Sequence, residues 1–194
     1  MKKVVFALAA ILVATIVFDS CKKGEDDPFL SFHSRKGRIC GDWKLSSGTE
    51  TFVSGGNTKT TVYTETQKTE TISGTSTTEG FTQTISIVKD GTFKWVEVNT
   101  IGSVITTDTY EGTWNFNGRV GEAKNKEYVT FTVTKNTSSS GSTTTSNSCT
   151  GNDCFTMTMR LKELKNKEMV FNIDGSSTDT GGTDTTTGEM KYAQ

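Results

Sequence analysis

The side chains best suited to covalent or metal chemistry are four cysteines and one histidine, and their spacing removes most of the options. His33 stands alone in what reads as a linker, so a histidine-based nucleophile–base pair has little to be built from. No cysteines are spaced as CxxC, which argues against a zinc site. Gly91, Gly112 and Gly118 sit at hairpin and bend positions and make no phosphate cradle. Asp174–Glu189 is acidic and Gly-rich, but Asp174-Gly175-Ser176 and Asp179-Thr180-Gly181 lack the alternating oxygens of an EF-hand loop. Two carboxylates placed for sugar hydrolysis stay open, because sequence spacing does not set their separation. The expectation is a non-enzymatic protein with no cofactor and no metal.

The cysteines suggest other uses. Cys149 and Cys154 flank Thr150-Gly151-Asn152-Asp153 and are expected to close a small loop at a hairpin turn, since disulfides persist outside the cytoplasm. Cys40 is then left over, as a buried free thiol in the first strand or as the partner of one of the other two. Cys21 follows a different logic. Met1-Lys2-Lys3 precedes an unbroken apolar run, Val4–Phe18, of about 15 residues, which suits a signal segment and is short for a membrane span.

The residues before Cys21 resemble a bacterial lipobox, with the small Ser20 at the cleavage position. The resemblance implies a signal peptide over 1–20 and a mature chain that begins at a lipidated Cys21. Thioether-linked diacylglycerol plus an acyl chain on the freed amine would anchor firmly where one chain would not. An uncleaved N-terminal anchor, or an ordinary cysteine after ordinary cleavage, are the alternatives. Lys22 stands where inner-membrane lipoproteins often carry Asp, which implies outer-membrane delivery. Lys23-Gly24-Glu25-Asp26-Asp27 resembles the Lys-plus-acidic tag of surface-exposed lipoproteins, though a solvated spacer would look the same. The cell surface is thus favoured over the periplasmic face. Residues 21–37 read as a polar tether. Arg35, Lys36 and Arg38 are expected to be solvated, or to touch anionic headgroups.

Removing residues 1–20 takes away one net positive charge and leaves the mature chain at −2, so no nucleic acid partner is expected. Heavy use of Thr, Ser and Gly, with one proline, leans towards an all-β domain over 38–194. Strands are read at Ile39–Leu45, near Phe52-Val53, at Ile85–Val88, Phe93–Val98, Val104–Phe116 with a bend at Gly112, Tyr128–Val133, Phe155–Leu161, Glu168–Ile173 and around Met190 and Tyr192. Thr58–Thr84 reads as a strand or ribbon with one polar face followed by a loop from Ser73 to Gly80, or as a partly ordered insertion. Asn136–Ser148 and Asp174–Gly188 read as polar loops, and Gly118–Lys126 as a turn. No mature segment holds a helical period over three turns. Eight to ten antiparallel strands give an up-and-down barrel, with a sandwich as the alternative.

Gly41-Asp42-Trp43 before Lys44-Leu45 resembles the Gly-x-Trp opening of lipocalins. Lys89–Phe93, Glu111–Trp114 and the Leu161–Phe171 hairpin are similar to later parts of bacterial lipocalin-like lipoproteins. That resemblance implies a barrel around a small ligand, with Trp43, Trp95, Trp114 and Phe131 as candidate cavity-lining residues. A barrel of this size is filled by side chains or holds one small ligand. The functional expectation is therefore a lipid-anchored module for a small apolar or glycan ligand. The alternative is an envelope interaction protein with a filled core and an unidentified protein partner. Asp184-Thr185-Thr186 also fits a short bacterial O-glycosylation pattern, one that chance would supply in so Thr-rich a chain.

Overall fold

Alternation of inward and outward side chains, broken by tight turns, builds almost all of the described residues into strands. The computed structural model describes residues 34–117, 127–149, 154–179 and 182–194. The Cys21 anchor, His33 and the turn expected at Gly118–Lys126 lie outside the described residues. A short helix α1 (Arg35–Ile39) precedes β1 (Gly41–Ser54), β2 (Asn57–Thr64), β3 (Gln67–Ile72), β4 (Thr75–Ile87), β5 (Thr92–Ile101) and β6 (Val104–Phe116). Then follow β7 (Tyr128–Ser140), β8 (Thr143–Ser148), β9 (Phe155–Leu164), β10 (Glu168–Asp179) and β11 (Gly182–Ala193).

The strands form a closed antiparallel up-and-down barrel of ten strands, with β8 paired only to the outer half of β7. β1 closes the ring by pairing with β11, from Lys44 opposite Ala193 to Val53 opposite Thr185. At one end β1 also pairs directly with β4, Gly41 opposite Ile87, so that end is bounded without β2 and β3. At the other end those two strands are inserted between β1 and β4. A barrel widens as strands are added, and eight strands leave an interior that side chains just fill. The insertion therefore divides the molecule into a narrow half and a wide half.

The narrow half is solid. Trp43, Ile85, Val129, Phe131, Leu164, Met169 and Phe171 are fully buried there. Phe131 is central, its ring centroid 5.0 Å from Phe93, 6.0 Å from Trp95 and 6.3 Å from Phe171, all edge-on, the arrangement that aromatic quadrupoles favour. Helix α1 plugs this end. Ser34 caps it by accepting from the Gly37 amide, Arg35 donates to the Leu161 carbonyl at 3.0 Å, and the Trp43 indole donates to the Ile39 carbonyl at 2.8 Å. Arg35 and Arg38 are buried, not solvated in a linker, so the folded unit takes in Ser34–Ile39 as well.

The three segments expected as polar loops are strand. Ser73–Gly80 supplies the turn and start of β4, Asn136–Ser148 is the β7–β8 hairpin, and Asp174–Asp179 and Gly182–Gly188 extend β10 and β11 in register. Thr-rich sequence holds as sheet because β-branched side chains suit strands and facing hydroxyls pair across them. Thr69 and Thr78 meet at 2.9 Å, Thr71 and Ser76 at 2.8 Å, and Thr137 and Ser146 at 3.2 Å. The expected bend at Gly112 is a bulge: the β6–β7 register slips between Glu111 and Gly112. A Cβ on Gly112 would stand 1.9 Å from the Thr132 carbonyl oxygen, which leaves glycine as the only residue that fits.

Candidate functional site

The wide half holds a cavity of about 560 Å³, within the range typical of small-molecule sites. Its floor is the aromatic layer that tops the packed core, and its walls come from most strands of the ring. Trp95, Phe81, Met157, Met159 and Ile173 give it apolar surface, while Glu97, Gln83, Asn99, Tyr63 and Lys68 give it polar surface. The β9–β10 ladder ends at Arg160 opposite Asn172, and the two strands then part. Met157–Arg160 and Asn172–Gly175 line the cavity on either side of that split, so the cavity also reaches the barrel wall between β9 and β10.

The polar groups form a connected set. The Tyr192 hydroxyl donates to Gln83 Oε1, and Gln83 Nε2 donates to Glu97 Oε1 at 2.7 Å. The Trp95 indole donates to the same carboxylate oxygen at 3.1 Å. Glu97 is thus held by two neutral donors. Burial raises its carboxyl above the usual carboxylate range; Gln83 and Trp95 pull it down, the Asp108 charge raises it, and Lys68 lowers it. Lys68 is itself engaged by Glu79 at 2.6 Å and lies 5.4 Å from the Phe81 ring centroid. Tyr63, half-buried on β2, donates to Glu50 at 3.1 Å; burial and the neighbouring carboxylates Glu50, Glu97 and Glu70 push its hydroxyl well above the ordinary phenol range. Asn99 Oδ1 is buried and meets no hydrogen-bond donor among the described residues.

Of the four residues expected to line a cavity, only Trp95 does so. Trp43 and Phe131 are fully buried in the narrow half, and Trp114 is buried with its indole on the Val88 carbonyl at 2.8 Å. They were misplaced because aromatic bulk marks a barrel interior without telling its packed end from its open end. The residues that were missed carry a signal of their own. On β5 the inward set runs Phe93, Trp95, Glu97, Asn99, and on β4 it includes Phe81, Gln83 and Ile85, so strand alternation puts polar side chains on the core face. A buried polar group in an apolar row is informative where an exposed one is not.

Cys149 and Cys154 lie at disulfide distance, with Cα atoms 5.2 Å apart. Cys40 is a free, half-buried thiol beside α1, its Sγ donating to the Lys36 carbonyl, and burial raises its pKa. Among the described residues, no three His, Cys, Asp or Glu side chains are grouped to hold a metal ion, and no helix is long and apolar enough to cross a membrane. No family model, no curated protein and no solved structure matches the chain.

Proposed function

We propose that this protein is a lipid-anchored outer-membrane or surface protein whose barrel holds one small ligand in its wide half. The observation that carries the reading is the half-filled interior: a solid aromatic core at one end and a cavity with converging polar groups at the other. A structural barrel has no need to turn Glu97 and Asn99 inward, because burying a carboxyl group is costly even when it is hydrogen-bonded and Asn99 Oδ1 meets no donor among the described residues. The mixed lining favours an amphipathic ligand, with an apolar body against Met157, Met159 and Ile173 and a polar end among the β4 and β5 side chains. The anchor is carried by the sequence of residues 1–27 alone.

The test is to purify the full chain from its own host's envelope and identify co-purifying small molecules by mass spectrometry, beside an Ile173→Trp variant that fills the cavity. A molecule retained by the native protein and lost from the variant supports carriage; a bare protein in both forms counts against it. Cys21→Ala should release the chain from membranes, and continued pelleting with membranes would refute the lipid anchor. A second reading, a docking role in the envelope, is favoured by one feature. Ile101, Val104 and Ile105 are exposed together around the β5–β6 turn. Crosslinking on intact cells that depends on those three residues would support it.

A further inference from the structure

We infer that the cavity takes an organic ammonium ion, with its charged nitrogen between Glu97 and Asn99 and its apolar body against Met157, Met159 and Ile173; this rests on the cavity being the binding site. The polar end is rich in acceptors. Glu97 is fixed in place by the Gln83 amide and the Trp95 indole, and that amide is oriented in turn by the Tyr192 hydroxyl on its oxygen. Asn99, two residues further along the same face of β5, also lines the cavity, and its carbonyl oxygen is buried with no donor among the described residues, so a turn of its side chain would bring that oxygen to a ligand. Asp108 stands opposite Glu97 in the β5–β6 register and adds a second negative charge. Glu50 adds a third on the cavity wall and already accepts from Tyr63.

Few cations stand against these acids: the cavity is lined by Glu50, Glu97 and Asp174 and by Lys68 and Arg160. Among the described residues no ion pair reaches Glu97, Asp108 or Glu50, and the nearby Lys68 is drawn to Glu79 at 2.6 Å and Glu70 at 3.9 Å. A carboxylate or phosphate ligand would bring another negative charge into this field, and like charges there are costly. A bare metal ion has too few ligands, since no group of three metal-binding side chains occurs among the described residues. An ammonium group satisfies the chemistry: its N–H donors match Glu97 and Asn99, and its charge is met by carboxylates. The walls suit it as well, because Trp95, Tyr63 and Phe81 present aromatic rings, which attract cations, and Lys68 already lies over Phe81.

The test compares three probes with the same ring and a different head: phenethylamine, phenethyl alcohol and 3-phenylpropanoate. Each is titrated calorimetrically into the full chain in detergent micelles, with protein-free micelles subtracted. Phenethylamine should bind about tenfold or more tightly than the alcohol, as a charge-assisted contact in a sheltered site allows, and the carboxylate should give no saturable heat. Glu97→Gln, which keeps shape and an acceptor oxygen, should cut amine affinity about tenfold and leave the alcohol unchanged. Asp108→Asn, outside the hydrogen-bonded set, should lower amine affinity by a smaller factor. Equal binding of amine and carboxylate, or no loss in both variants, would overturn the ammonium assignment while alcohol binding left the cavity reading standing. Binding of none of the three would overturn both.

Discussion

Replacing Phe131 by Ala is the perturbation that separates a filled half from an open one. Phe131 is fully buried and packs edge-on against Phe93, Trp95 and Phe171. Truncating a buried aromatic costs about 3–5 kcal/mol, and a site boxed in by rings on three sides has little room to collapse, so a loss of about 4 kcal/mol is expected. For a domain of this size, that shifts Tm by about 12 °C. It is also a large part of the roughly 5–15 kcal/mol a domain has in total. Met157→Ala is the control. Met157 is half-buried and faces space that is already open, so no new void forms and about 1 kcal/mol is lost. Equilibrium urea unfolding followed by tryptophan fluorescence measures both, with Trp95 beside Phe131 as reporter. A loss at Phe131 below about 1.5 kcal/mol, or an equal loss at Met157, would refute the division of the barrel.

Three further outcomes are expected. Burial holds the Glu97 carboxyl above its ordinary value of 4.5, so the folded state binds that proton more tightly than the unfolded chain does. The contribution is full below that value and is lost as pH rises through the folded pKa. Glu97→Gln should therefore be more stable than the native protein at pH 7, with the gain gone near pH 4; a gain that grows on acidification contradicts the assignment. Asp108 and Lys68 act on Glu97 in opposite directions, and Asp108→Asn should reduce the gain. Gly112→Ala drives a Cβ into the Thr132 carbonyl and should destabilise by more than about 2 kcal/mol; a neutral result in thermal melts would mean that the bulge yields. Opening the Cys149–Cys154 bridge, which spans a sequence separation of 5, should cost only about 2 kcal/mol, and loss of the whole fold on reduction would contradict that.

The packed half was legible because its strands alternate. Ile85 and Ile87, Phe93 and Trp95, and Val129, Phe131 and Val133 all face the core, on segments whose period of two marks them as strands. The wide half was not legible by the same rule. There Asn136–Ser140 and Thr183–Thr187 hold only Thr, Ser, Asn and Asp on both faces, so they show no apolar alternation and look like loops. The uncertain Thr58–Thr84 stretch matters most, since it forms β2, β3 and much of β4, the insertion that widens the barrel. The arginines of α1 were misread for a related reason. Charge near a terminus usually means solvent, and only the tertiary plug buries Arg35 and Arg38. Cys149 and Cys154 were readable from spacing alone, because a four-residue gap at a strand break already brings two cysteines near each other.

Methyl NMR on methionine-labelled protein tests the central claim most directly. Met157, Met159 and Met190 line the cavity, whereas Met169 is fully buried in the narrow half. Titration with phenethylamine should shift the three cavity methyls in a saturable way and leave Met169 in place. Shifts at Met169 equal to those at Met157 and Met159, or no saturable shift at any of the four, would contradict a ligand seated in the wide half of the barrel.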